Sequence, residues 1–200
     1  MIGLVFSHPE TATAFLNASA DGRVDPLDEG ASMQQGPLLV SVVGRGKIHA
    51  TLRTERLLVA HEVDRLVHTG ACVALSDEIE NGTLIGATSV LEGDRVELDA
   101  PTYPQMPLSL PFDTPAEGVL VSQDHVPTGD SDVPGYWARL ADVRDDTGYA
   151  VAYVAAQHGT PCHIAKVATG RDAEGTALSG TTQEAIVTFA RHVAAEASAD

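Results

Sequence analysis

An α/β sheet protein is what this chain predicts, and three observations carry the prediction. Short runs of strand-forming residues alternate with longer segments of helical period along the whole chain. The strand-like runs are punctuated by glycine and proline, as at Gly44-Arg45-Gly46. A length of 200 residues with 44% hydrophobic side chains supplies enough material for an ordinary core. With no internal repeat and no linker-like stretch, residues 1–200 are expected to form a single domain.

The elements follow in order. Residues 2–7 read as the first strand and residues 10–18, after Pro9, as a helix. Residues 37–43 (PLLVSVV) are an uninterrupted apolar run, as expected of a buried strand. Residues 47–62 have helical period, with Ile48, Leu52, Leu57, Leu58 and Ala60 on the apolar face. Strands are expected over 65–69, 83–90 and 118–123, with a short one over 140–143. The spacing then predicts a helix over 147–157, stopped by His158-Gly159, and a strand over 161–168. Residues 183–197 form a terminal helix with Ile186, Phe189, Ala190 and Val193 on one side. Two stretches read as loops: the polar segment 21–35, and 99–117, which holds five prolines and little periodicity.

Charge narrows the partners. The formal net charge is -16, and Lys47 and Lys166 are the only lysines. Such a surface repels phosphate backbones and anionic lipid, so neither nucleic acid nor membrane is an expected partner. No apolar run has the length of a bilayer span. No Lys or Arg precedes Arg23, so the N-terminus reads as a first strand rather than a signal peptide, and a cytoplasmic protein is expected. Excess acid with little lysine suits a salt-rich cytoplasm and a halophilic source; an ordinary acidic protein is the alternative. Cys72 and Cys162 lie far apart in apolar contexts and read as reduced core thiols. The eight histidines show no zincin spacing, and neither metal nor cofactor is expected.

A set of weak motifs occurs in a fixed order. They are Ile2-Gly3 through Glu10-Thr11, Gly44-Arg45-Gly46-Lys47, His68-Thr69-Gly70-Ala71 followed by Asn81-Gly82-Thr83, and Tyr103-Pro104-Gln105-Met106-Pro107. Leu120-Val121-Ser122-Gln123-Asp124 and the stretch from Asp145 to Asp172 complete it. This order resembles the purine nucleoside phosphorylase / uridine phosphorylase superfamily, in outline most of all the methylthioadenosine/S-adenosylhomocysteine nucleosidases. The resemblance implies a three-layer α/β/α fold with a mixed central sheet. It also implies a nucleoside or related ribosyl ligand bound at the C-terminal strand ends near Gly70, Ser122 and Gly170, and a homo-oligomer, most simply a dimer.

Cleaving an N-glycosidic bond requires a held sugar, a protonated or hydrogen-bonded base, and a delivered water or phosphate. In the family a Glu grips the ribose and an Asp serves the base. Thr147 and Gly170 stand at those two positions here, with Asp145 and Asp146 as nearby acids. The resemblance makes Glu10, Asp124 and Asp172 the candidate catalytic acids. Substrate-binding candidates are His8, Thr69, Gly70, Ala71, Ser122, Val126, Asp146, Thr147, Thr169 and Gly170. Each has a plainer reading: Thr147 as a helix N-cap, Glu10 as a dipole-favoured acid in a first turn. Gly44 and Arg45 are the anion-binding candidates, because amides at a strand-to-helix turn bind anions, although Ile48 after Lys47 breaks the Walker pattern. Three functions stay open: an N-ribosyl hydrolase, a catalytically impaired relative that binds or assembles, and a phosphate-dependent phosphorylase.

Overall fold

The computed structural model describes residues 1–19, 24–95, 102–124, 133–169 and 178–198. Its framework begins with β1 (Ile2–Phe6), which lies between two parallel partners, β3 (Leu38–Val42) and β4 (Arg65–Ala74). All five residues of β1 and all five of β3 are buried, which explains why both read as continuous apolar runs rather than alternating ones. A short edge strand, β2 (Ser32–Gln35), adds antiparallel to β3.

The other half of the sheet runs partly the opposite way. β9 (Cys162–Thr169) is parallel to β4 and antiparallel to β5 (Leu84–Glu92). β5 is parallel to β7 (Ala116–Ser122), which is parallel to β8 (Val143–Asp145), and β8 returns antiparallel to β4. These pairings close a ring of five strands, β4-β8-β7-β5-β9, beside the open β2-β3-β1 wing. The sheet is therefore mixed, with helices flanking it.

Side chains of β1 alternate between two packing clusters. Leu4 and Phe6 pack with Phe15 of α1 (Pro9–Ser19) and Ile186 and Phe189 of α5 (Gly180–Ala197). Val5 packs with Leu57 of α2 (Lys47–Ala60) and Val151 of α4 (Gly148–Gln157). The terminal helix buries the four residues its period singles out, and Ser179 caps it by accepting from Thr182 N–H.

Several elements depart from the sequence reading. β4 does not end at Thr69; it continues through Gly70 to Ala74, pairing with β9 as far as Val73. Segment 21–35 contains β2, and the proline-rich segment contains β6 (Gln105–Pro107), antiparallel to β5. A polar or proline-bearing sequence is compatible with an edge strand, where one side makes no ladder bonds. α3 (Val133–Trp137) was not anticipated, and the short strand lies at β8 rather than over 140–143, where Leu140 is exposed. The apolar face of α2 also shifts. Ala50, Thr54 and Leu57 are buried, while Ile48 is 73% and Leu52 51% exposed. Small residues at 50 and 54 let the helix axis approach the core closely, which turns the larger side chains outward.

Candidate active site

The two lysines of this acidic chain each anchor a polar cluster, Lys166 from within β9 and Lys47 from the first residue of α2. Lys166 sits inside β9, almost fully buried. Its Nζ donates to Asp145 Oδ2 at 2.9 Å, to His68 Nε2 at 2.7 Å and to Ser7 Oγ at 3.0 Å, with Thr147 Oγ1 at 3.3 Å. A buried ammonium needs this set of acceptors to offset its lost hydration. His68, in the middle of β4, donates from Nδ1 to the Val5 carbonyl at 3.1 Å, which leaves Nε2 as the acceptor facing Lys166.

Asp145 closes the network and starts the next helix. Its Oδ1 accepts from Ser122 Oγ at 2.6 Å, and its carboxylate accepts from Gly148 N–H at 2.9 Å (Oδ2) and 3.1 Å (Oδ1). Ser122 Oγ in turn accepts from Tyr149 N–H at 2.8 Å. The first amides of α4 are thus capped by Asp145 and Ser122. Thr147, although at the N-cap position, makes no capping bond; its hydroxyl donates to Asp145 Oδ2 at 3.1 Å, inside the network. Burial pushes the Asp145 carboxyl up, but Lys166, His68 and Ser122 outweigh it and bring its pKa to about 2. Burial and the Lys166 charge take His68 down to about 3, so its ring is neutral.

Lys47 makes the second cluster, at the start of α2. Its Nζ pairs with Glu92 at the end of β5 and with Asp94 Oδ2 at 2.6 Å. Burial would lower its pKa, but hydrogen bonds to Asp94 and Glu92 raise it above the ordinary lysine value. The turn before it needs glycine at two places: Gly44 has φ 73° and Gly46 has φ 81°. A Cβ at Gly44 would come within 2.1 Å of Arg53 Nη1, which itself holds the Val43 carbonyl and Glu29. The amides freed by this turn are taken by the protein's own carboxylates. Gly46 N–H donates to Asp146 Oδ2 at 3.2 Å and Lys47 N–H to Asp124 Oδ1 at 2.8 Å, while Arg45 Nε reaches Asp146 at 3.3 Å.

The sequence candidates fall into groups around these clusters. Ser122 and Thr147 belong to the Lys166 network. Gly70 lies against it: a Cβ there would meet Ser7 Oγ at 2.6 Å and stand 3.6 Å from Lys166 Nζ. Thr69 is fully buried, and its Oγ1 has no hydrogen-bond partner. Thr169 donates to the Cys72 carbonyl at 3.0 Å, and Ala71 packs against the core beside it. Asp124, Asp146, Gly44 and Arg45 make up the α2 turn. Glu10 is exposed in the first turn of α1, and its carbonyl accepts from Gln183 Nε2. His8 immediately precedes α1, with Nδ1 buried and unpartnered. Val126, Gly170 and Asp172 lie outside the described residues.

Ser7, His68 and Lys166 are the members that sequence reasoning passed over. A signal was there: a lysine inside the apolar strand CHIAKVAT and a histidine inside RLVHTGACVA leave those charges no solvent face. Cys72 and Cys162 are free thiols whose pKa burial raises, that of Cys162 to about 12. Among the described residues no group of three or more His, Cys, Asp or Glu side chains is placed to hold a metal ion, and no helix is long and apolar enough to cross a membrane.

Comparison with solved structures decides the fold. The 5′-methylthioadenosine/S-adenosylhomocysteine nucleosidase of Helicobacter pylori superposes with a TM-score of 0.78 over 98% of this chain and 97% of that one. This chain has the nucleosidase fold. Futalosine hydrolase from the same organism superposes at 0.79 over 98% of both chains, and the Neisseria meningitidis nucleosidase, in complex with methylthio-immucillin-A, at 0.77 over 96% and 97%. Sequence identities are 17%, 18% and 14%, so the match is one of backbone rather than of side chains. No protein-family model and no curated protein matches the chain. Within the nucleosidase fold, the Lys166 network sits where β1, β4, β8 and β9 meet, the junction of the open wing and the ring.

Proposed function

We propose that this protein binds a nucleoside or a related ribosyl ligand and hydrolyses its N-glycosidic bond. The observation that carries the proposal is the near-full-length superposition on nucleosidases, two of them solved with immucillin-A compounds bound. The α2 turn favours water over phosphate as the nucleophile. Its free amides and Arg45 already hold Asp146 and Asp124, and a phosphate entering there would meet two carboxylates. Thr147 lacks the charge of a ribose-gripping carboxylate and has its hydroxyl committed to Asp145. Turnover is therefore slow, and a binding role is the second reading, favoured by this one substitution.

The same reading extends to the rest of the molecule. Residues 1–200 act as one domain. Alternation of β1 side chains between the α1/α5 and α2/α4 clusters supports three α/β/α layers, because successive side chains of a strand point to opposite faces. We infer a cytoplasmic protein that works as a two-fold dimer and takes neither nucleic acid nor membrane as partner, consistent with its acidic surface. The test is a pooled nucleoside hydrolysis assay with and without phosphate, at low and high KCl, read by release of free base. Light scattering at micromolar protein tests the dimer; a monomer there removes it.

A further inference from the structure

We propose that His8 is the general base that activates water in this site. The inference rests on the hydrolytic reading above and adds a residue and a proton path to it.

The acids around the site are committed elsewhere. Asp145 is locked to Lys166, Ser122 and the α4 amides. Asp124 and Asp146 hold the α2 turn. Glu10 is exposed on the first turn of α1, and Thr11 beside it is buried with no acidic group and with its hydroxyl unpartnered. His8 differs from all of these. It follows Ser7, whose hydroxyl accepts a hydrogen bond from Lys166, at the junction of β1 and α1, and its carbonyl accepts from Ala12 N–H. Its Nδ1 is buried and has no hydrogen-bond partner, a state that costs free energy unless a ligand or water fills it. Thr69 Oγ1, at the end of the paired stretch of β4 beside β1, is buried and unpartnered in the same way. His8, just after β1, and Thr69, on the neighbouring strand β4, thus each keep a buried polar atom for which the protein supplies no partner.

The titratable groups facing His8 come from every element around it: Lys166 on β9, the neutral His68 on β4, Asp146 after β8, Arg45 in the α2 turn and Glu10 on α1. Burial first, and then Lys166, hold its pKa below the ordinary imidazole value, against the opposing pull of Asp146 and Glu10. The ring is neutral at neutral pH and ready to accept a proton.

The step balances without another reactant. Water oxygen bonds to C1′ while the C1′–N bond breaks, and that electron pair goes to the base nitrogen. The proton lost by water passes to His8 and from the imidazolium to the departing base, so the products are the free sugar and the protonated base.

The experiment measures kcat and KM of wild type, His8→Gln and His8→Ala against pH, with the nucleoside that the pooled assay finds. Wild type is expected to lose kcat on an acid limb with an apparent pKa below about 6.5, the ordinary histidine value. His8→Gln is expected to lower kcat by roughly 10²–10⁴-fold with KM changed only a few-fold, to abolish the acid limb, and to melt near wild type. Added imidazole should restore part of the His8→Ala rate, which a purely structural role would not allow. A His8→Gln enzyme with wild-type kcat and an intact limb overturns the proposal and leaves the hydrolytic reading standing. A wild-type profile without an acid limb does the same, even if the variants do not fold. A wild type that releases base from no nucleoside overturns both.

Discussion

Lys166 Nζ lies 2.9 Å from Asp145 Oδ2, and both side chains are almost completely buried where the open wing of the sheet meets the ring. This pair joins β9 to the end of β8, from which the chain enters α4, and through Ser7 and His68 it also links to β1 and β4. Removing one partner leaves a buried charge uncompensated, which typically costs about 3–5 kcal/mol. Lys166→Met is therefore expected to lower unfolding stability by that amount in urea denaturation. Lys166→Met with Asp145→Asn should cost clearly less than the sum of the two single changes, because the second change removes the orphaned charge. Additive losses would mean that the two groups are energetically independent.

Acid should weaken the fold in two stages. His68 titrates at about 3 in the folded state against an ordinary 6.5, so the unfolded chain takes up its proton first, and stability falls as pH drops from about 6.5 towards 3. Asp145, at about 2 against an ordinary value near 3.8, contributes stability that is fully present above the ordinary value and is lost as pH falls towards 2. Urea midpoints at pH 7.5, 6 and 5, chosen to span roughly the first window, should decline in wild type. His68→Gln should flatten that decline. A midpoint independent of pH over this range would contradict the assigned neutral His68.

The α2 turn makes a separate prediction. Wild type should bind inorganic phosphate no more tightly than a generic acidic protein, because Asp124 and Asp146 already occupy the amides of Lys47 and Gly46. Asp124→Asn with Asp146→Asn removes two negative charges from a helix N-terminus and leaves Arg45 beside it, an arrangement that attracts anions. Calorimetric titration with phosphate should then show binding where wild type shows none. Equal binding by wild type would mean that the carboxylates leave the turn readily.

Salt tests the reading of the net charge of -16. Screening shortens the reach of like-charge repulsion from about 10 Å at 0.1 M to about 3 Å at 1 M, so the melting temperature should rise from roughly 0.1 M to 2 M KCl. An unchanged or lower value would count against adaptation to a salt-rich cytoplasm.

Much of the framework was legible in the sequence because it depends on local pattern. β1 and β3 read as buried apolar runs, β9 as a short strand, and α5 shows an apolar stripe at Ile186, Phe189, Ala190 and Val193. What escaped depends on distant neighbours. Gly70 reads as a strand end, yet here it continues β4, because only a residue without a Cβ fits between Ser7 and Lys166. Ile48 and Leu52 read as the buried face of α2, but the small Ala50 and Thr54 set that contact instead. Thr147 looks like a cap by type and position, while Asp145 and Ser122, brought from β8 and β7, do the capping. The ring closure that unites these groups links residues up to about 100 positions apart, and local periodicity carries no record of it.

The most direct test of the central claim is base release by wild-type protein from a pooled set of nucleosides, measured with and without phosphate. Hydrolysis by this site predicts release of free base from at least one nucleoside at a rate unchanged by phosphate. That rate should fall below about 1 s⁻¹, the low end of typical turnover, if Thr147 faces the ribose as proposed, since its hydroxyl carries no charge. Release that requires phosphate would make the protein a phosphorylase and contradict the role given to the α2 turn. No release from any nucleoside at any salt concentration would contradict the hydrolytic function itself.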